Sequence, residues 1–413
     1  MKFIFPDSFD LVDPSFDFET EQRSASRIRH QDDLYAHEIF AEPPYDGSLL
    51  SMAIVEGTSG SAKYSVAQRQ RLHRVGIREF LRLDVPAREH MITMGDCGAF
   101  TYVKETVPPV RVEEVVDFYH SLGFEYGMSV DHVILGYRDD FDDALPSVDP
   151  VPAEFRTRKA ITLDLAADFW RLSQKRSFVP IGVAQGWSPK SYADSFIELQ
   201  KIGFRYIALG GLVPLKTHEI ARVVREVSTI RRPDTAIHLL GVARLDLLQE
   251  FGQLGVVSFD TTSPLRQAFK DDQDNYHTPT RAYAAVRVPQ VEANLSLCRR
   301  IQKGLVDPTH ARKLEQACLG ALRAYDRGEI PLSETMLILQ DYEEVCATNP
   351  KWLSLYTEVL SDMPWRECHC SICTQLGIEV ILFRGAERNR RRGFHNLYVF
   401  EKKVRQTEAA CVV

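Results

Sequence analysis

Seven short apolar runs, separated by stretches of helical periodicity, restrict what this chain can fold into more than any other feature. They are Leu49–Val55, Met91–Met94, Tyr126–Val130, Val179–Ala184, Tyr206–Leu209, Ile237–Val242 and Val256–Phe259. Short, largely continuous apolar runs of this kind form strands covered on both faces. The clearest helix between them carries Ile220, Val223, Val224 and Val227 at i, i+3, i+4 and i+7, behind Thr217 as its expected N-cap. Alternating strand and helix predicts a parallel sheet, and seven or eight units at this spacing predict a TIM-type (β/α)8 barrel over residues 49–290. No Gly-x-Gly-x-x-Gly follows the first run, which counts against an open dinucleotide-binding sheet.

The flanks read differently. Residues 1–48 are rich in Asp, Phe and Pro, with turn signals at Pro6-Asp7-Ser8 and Asp13-Pro14-Ser15, and are expected to be an irregular leader laid over the core. Residues 291–360 turn helical and more charged, with Glu315, Cys318, Leu319 and Leu322 on one face. Residues 361–413 contain Cys368, Cys370 and Cys373, with His395 one segment later. Three thiols and an imidazole supply the four ligands of a closed tetrahedral site, so a structural Zn2+ is expected there. The other cysteines, Cys97, Cys298, Cys318, Cys346 and Cys411, are scattered as reduced thiols are.

The residues that follow the strands can do chemistry. Asp96, Asp131 and Asp260, the amide of Gln185 and the pair Gly210-Gly211 are expected on one rim, because barrel sites lie at the C-terminal ends of strands. That set suits a flat base rich in donors and acceptors, with glycines letting the ring approach the backbone. Two of the carboxylates can serve as nucleophile and acid/base in displacement at a sugar C1′, as in glycoside hydrolysis. Cys97 has no histidine placed beside it by sequence and is read as a packed thiol.

These residues resemble, in order, the motifs of the guanine transglycosylase superfamily, known best for exchanging a guanine in tRNA for a 7-deazaguanine. The matching stretches are Gly95-Asp96-Cys97-Gly98-Ala99-Phe100, Gly182-Val183-Ala184-Gln185-Gly186, Ala208-Leu209-Gly210-Gly211-Leu212, Phe259-Asp260-Thr261-Thr262-Ser263-Pro264-Leu265-Arg266, and the cysteine cluster with His395-Asn396-Leu397. The resemblance implies that Asp260 attacks C1′ and Asp96 is the general acid/base, while Asp131, Gln185, Gly210, Gly211 and Leu212 hold the base. Cys97, Ala99, Thr101 and Trp187 depart from the tRNA enzymes' residues, and Trp187 offers a stacking face.

The segment Lys2–Ser8, continuing through Val12–Phe18, resembles the DNA-directed branch, whose members insert 7-cyano-7-deazaguanine into DNA alongside a partner ATPase. Base exchange on DNA is therefore the expected function, with tRNA as the alternative polymer and a non-catalytic zinc-containing nucleic-acid-binding subunit as a further one. With a formal charge of −7, contact with nucleic acid must come from a local basic patch. Arg384, Arg388, Arg390, Arg391 and Arg392 form such a run, and they and Arg266 are expected to meet phosphates. A target guanine must leave its stack to reach a barrel rim. The opening residues Met1–Pro6 lack an apolar signal-peptide core and no run approaches the ~18 apolar residues of a membrane span, so a cytoplasmic protein is expected. The sequence is compatible with an oligomer.

Overall fold

The computed structural model describes residues 1–60, 62–143, 151–346 and 351–409. Cys411 lies outside the described residues. The chain divides into two compact units, one of Met1–Phe9, Tyr45–Thr262 and Val404–Val413, the other of Asp10–Pro44 and Ser263–Lys403.

The first unit is a closed barrel of eight parallel strands. They are β1 Lys2–Pro6, β2 Gly47–Ser51, β3 Ile92–Asp96, β4 Tyr126–Met128, β5 Val179–Ala184, β6 Tyr206–Leu209, β7 Ala236–Leu239 and β8 Val256–Asp260. Each strand pairs with its neighbours in sequence, and β1 closes on β8 with Ile4 opposite Asp260. Ile4, Leu49, Met94, Met128, Ile181, Val183 and Ala208 form a buried cluster within the barrel unit. Full burial of such side chains contributes roughly 1.5–3 kcal/mol for each large one. Outside, the helix Thr217–Ile230 buries Ile220, Val223, Val224 and Val227 as its periodicity predicts. Its cap is Lys216 rather than Thr217, with the Glu219 carboxylate accepting from the Lys216 N–H at 2.6 Å.

The expectation of an irregular leader over 1–48 is corrected at its start, since Lys2–Pro6 is the first barrel strand. Phe3, Ile4 and Phe5 are all buried, and Phe3 stacks on Phe259 with centroids 5.4 Å apart. The strand is only five residues long, and the irregular stretch before β2 does not look like a βα crossover. Sequence spacing therefore hid it. The first apolar run also ends early as a strand, because Met52–Glu56 turns helical. Residues 263–290, expected within the barrel domain, fall in the second unit.

That second unit is mainly helical, with Leu295–Gln302, Pro308–Asp326, Leu332–Cys346 and Lys351–Asp362 over the section expected to be so. Glu315, Cys318, Leu319 and Leu322 are buried, as the predicted face requires. The rest of the leader belongs here and is fastened to the helix Gly385–Ala409. Glu21 pairs with Arg384 and Arg388 at 2.5 Å each, and the Phe18 ring carries the Arg388 and Arg391 guanidiniums 5.3 and 5.0 Å from its centroid. Among the described residues no helix is long and apolar enough to cross a membrane.

Candidate active site

Parallel strands in a closed barrel end on one rim, and that geometry gathers the expected residues. Asp96 and Asp260 are the last residues of β3 and β8, Gln185 follows β5, Gly210 and Gly211 follow β6, and Asp131 lies just after β4. Contacts tie several of them together. The Gln185 Nε2 donates to Asp131 Oδ2 at 2.7 Å, its Oε1 accepts from the Ile134 N–H at 3.2 Å, and the Cys97 thiol donates to Asp131 Oδ1 at 3.4 Å. Cys97 is fully buried, and burial with the carboxylates of Asp131 and Asp96 pushes its thiol well up, which agrees with a packed neutral thiol.

The glycines are steric requirements of this arrangement. A Cβ on Gly210 would sit 2.3 Å from Gln185 Nε2. One on Gly211 would sit 2.7 Å from the Ile134 carbonyl, and φ there is +72°, where a side chain is strained in any case. Gly211 is buried, and its N–H has no acceptor among the described residues, which leaves a donor for a ligand. Leu212 is wholly buried beside it. Gly98, with φ +88°, turns the chain after Asp96 where a Cβ would meet Ser51 Oγ and Ala53 Cβ at 2.4 Å.

The carboxylates are not equivalent. Burial, then the charges of Asp131 and Asp260, push the Asp96 carboxyl up to about 7. Burial likewise pushes Asp131 up to about 6, against the hydrogen bonds from Gln185 and Cys97. Asp96 is thus suited to carry and return a proton near neutrality. Asp260 Oδ1 accepts from the Gly241 N–H at 2.8 Å and lies 3.1 Å from His238 Nε2. Sequence reasoning missed His238, Ser258 and Gly241. A signal was present, because Ser258 and Asp260 share one face of β8 by the two-residue period and His238 is a lone polar side chain in its apolar run. Trp187 keeps one partner already, stacked on Phe155 with centroids 6.4 Å apart, and the Lys159 ammonium lies 5.2 Å from its ring.

The arginine run is corrected. Arg384, Arg388, Arg391 and Arg392 are buried, at 3%, 1%, 6% and 0% exposure, and are spent on internal partners rather than offered to phosphates. Arg384 meets Glu21 and Glu315, Arg388 meets Glu21 and Glu379, Arg391 meets Glu387, and Arg392 donates to the Leu382 and Ala268 carbonyls. A buried guanidinium must be paired, which is why a charge excess in sequence became an ion-pair network. Arg390 is half-buried and bonded to the Leu11 carbonyl, whereas Arg266 is exposed on the helix Ser263–Lys270.

Within the second unit, Cys368, Cys370, Cys373 and His395 form a cluster whose ligand atoms all lie within 4.8 Å of one another, and which can hold a metal ion. The His395 Nε2 donates to the His277 carbonyl at 2.7 Å, which turns Nδ1 toward the thiols. Tyr276 stacks on the His395 ring at 4.2 Å and 8°, and its hydroxyl is 3.3 Å from Cys373 Sγ.

Comparison with known proteins bears on this rim. Over 412 residues the chain is 48% identical to the DNA-guanine transglycosylase of Salmonella montevideo, taking in 98% of this chain and 97% of that protein. The chain belongs to the guanine transglycosylase family. A more distant member of it, the tRNA-guanine(15) transglycosylase of Pyrococcus abyssi (strain GE5 / Orsay), is 25% identical over 219 residues, 51% of this chain and 33% of that protein. No family model matches the chain. This guanine transglycosylase family member is an enzyme of the transglycosylase class.

Proposed function

We propose that the chain exchanges guanine in DNA for a 7-deazaguanine, 7-cyano-7-deazaguanine being the base that its resemblance implies, through a covalent glycosyl-enzyme. The observation that carries this is the convergence on one rim of Asp260 and Asp96, with burial and neighbouring carboxylates holding the Asp96 carboxyl up to about 7. In the first half-reaction an Asp260 oxygen forms a bond to C1′ as the C1′–N9 bond breaks, the electron pair leaves with guanine, and Asp96 donates the proton. In the second, the incoming base gives its proton to Asp96 and displaces the Asp260 ester, restoring the carboxylate. Two displacements at one carbon give net retention and ping-pong kinetics. Asp131, Gln185 and the Gly211 N–H present acceptors and donors to the edge of the base, and Gly210 and Gly211 let the Gln185 amide and the Ile134 carbonyl pack close behind them.

DNA is favoured over tRNA by the near full-length likeness to a DNA-guanine transglycosylase against partial likeness to a tRNA enzyme. DNA, the 7-deazaguanine and a partner ATPase are the interaction set the resemblance implies. For the metal we propose zinc. The three Sγ atoms lie 3.6, 3.5 and 3.3 Å from His395 Nδ1, against a nitrogen–sulfur edge of about 3.6 Å in tetrahedral zinc. With four protein ligands such an ion supplies a cross-link to the fold and leaves no open position for substrate.

Denaturing electrophoresis of the protein with a guanine-containing DNA oligonucleotide tests the covalent step. A retained adduct is expected, and an Asp260→Ala variant that still forms it overturns the assignment. Offering labelled guanine with DNA and with tRNA separates the polymers, exchange into tRNA alone reversing the choice.

A further inference from the structure

Behind Asp260 a line of buried polar groups runs through the barrel that the exchange reaction, as set out above, does not use. His238 is fully buried in β7, in register with Ser258 of β8. Its Nδ1 lies 2.5 Å from Ser258 Oγ and its Nε2 3.1 Å from Asp260 Oδ1. The Tyr206 hydroxyl, from β6, bonds Ser258 Oγ in turn. Hydroxyls can donate in either direction, but Asp260 as a carboxylate only accepts. With a neutral imidazole the consistent set of bonds runs one way, from Tyr206 O–H to Ser258 Oγ, from Ser258 O–H to His238 Nδ1, and from His238 Nε2–H to Asp260 Oδ1. The Gly241 N–H adds a second donor to that same oxygen at 2.8 Å. Asp260 Oδ2 has no donor among the described residues, so the two oxygens of one carboxylate stand in different environments.

We infer that His238 is a positioning residue that, with the Gly241 N–H, reserves Oδ1 as the carbonyl oxygen of the glycosyl ester and leaves Oδ2 to bond C1′. The inference rests on Asp260 being the nucleophile. Donors on Oδ1 have opposite effects on the two halves of the exchange. They draw charge from the carboxylate and so temper its attack. When the C1′–Oδ2 bond breaks and its electron pair returns to the carboxylate, the same donors stabilise the group that leaves. The arrangement thus keeps the glycosyl-enzyme short-lived, and Ser258 and Tyr206 act by fixing which imidazole nitrogen carries the proton.

Single-turnover kinetics on a guanine-containing DNA oligonucleotide can read the two halves separately, as the rate at which adduct forms and the rate at which added 7-cyano-7-deazaguanine discharges it. His238→Leu is expected to slow discharge by about tenfold to a hundredfold, the effect of losing a hydrogen bond to a charged group, while adduct formation changes less. The conservative His238→Gln, which retains an N–H donor, should discharge near the parent rate, and Ser258→Ala should fall between. A merely structural role for His238 would alter melting temperature without altering the ratio of the two rates. A folded His238→Leu protein with the parent ratio overturns the inference, and so does a His238→Gln protein as slow as His238→Leu. Should His238→Leu fail to fold, an unchanged ratio in Ser258→Ala overturns it. Absence of adduct in the parent protein would instead overturn Asp260 as nucleophile, a distinct outcome.

Discussion

Replacing Arg388 by methionine distinguishes an internal brace from a phosphate contact. Arg388 donates to Glu379 at 2.6 Å, to Glu21 at 2.5 Å and to the Phe18 carbonyl at 2.8 Å. Removing it leaves neither carboxylate bare, since Glu21 keeps Arg384 and Glu379 keeps Arg323. The loss should therefore sit at the low end of the 3–5 kcal/mol typical of breaking a buried pair, about 3 kcal/mol. Glu21 gives an independent gauge. Burial opposes its ionisation, and the hydrogen bonds of Arg384 and Gln290 with the charges of Arg384 and Arg388 overcome it, taking the carboxyl from 4.5 to about 2. That shift is what its partners leave after offsetting burial, and solvent screening of a half-buried carboxylate reduces its worth further; Arg388 supplies the smaller part of it, and the Glu379 pair and the Phe18 bond supply most of the expected loss. Because the folded value is depressed, this stabilisation is present above pH 4.5 and is lost as pH falls toward 2, so in Arg388→Met acid unfolding should begin at higher pH. Urea unfolding followed by tryptophan fluorescence, beside DNA retention at several salt concentrations, measures both. A variant of undiminished stability whose DNA binding loses about one unit of salt slope would refute the brace and restore the phosphate contact.

Further outcomes are expected at Asp96, at Gly210 and at the cysteine cluster. Asp96→Asn should lower base exchange by about a hundredfold or more, and in the parent protein adduct formation should fall as pH rises through about 7, where Asp96 loses its proton. The same raised carboxyl makes the unfolded chain the readier to ionise, so Asp96 costs stability progressively from about pH 4 to 7. Thermal melts of Asp96→Asn should show a gain that grows over that interval and then levels off. Gly210→Ala should displace the Gln185 amide and raise KM for the base at least tenfold, with Asp260 adduct chemistry retained; an unchanged KM would contradict the close approach. Chelation, or Cys370→Ser, should release one metal ion per chain by elemental analysis and unfold the residues around His395, closed sites of this kind contributing on the order of 10 kcal/mol; a metal-free protein with unaltered circular dichroism would refute a structural ion.

The barrel was legible because strands covered on both faces need continuous apolar runs, and those at Val179–Ala184 and Tyr206–Leu209 match the strands residue for residue. β1 was not, because the long stretch before β2 hides a five-residue strand from any argument based on regular spacing. The rim carboxylates were legible for a topological reason, since parallel strands all deliver their last residues to one end. The arginines misled because a run of like charges says nothing about where its counter-charges lie. Glu21 and Glu315 are remote in sequence from Arg384 and Arg388 and meet them only once the chain has folded. His238 was hidden by the reverse effect, a polar residue inside a run whose apolar neighbours defined it.

The pairing of β1 with β8 gives the barrel a seam, and the seam runs beside Asp260. Seven strand contacts join neighbours in sequence, whereas this one encloses every other strand in a single loop, the costliest closure of the eight in chain entropy. During synthesis β1 exists long before its last partner does. The strand carrying Asp260 gains its second neighbour only when the ring is finished, so exchange activity doubles as a reporter of complete barrel assembly, and chains lacking β1 should be silent rather than weakly active.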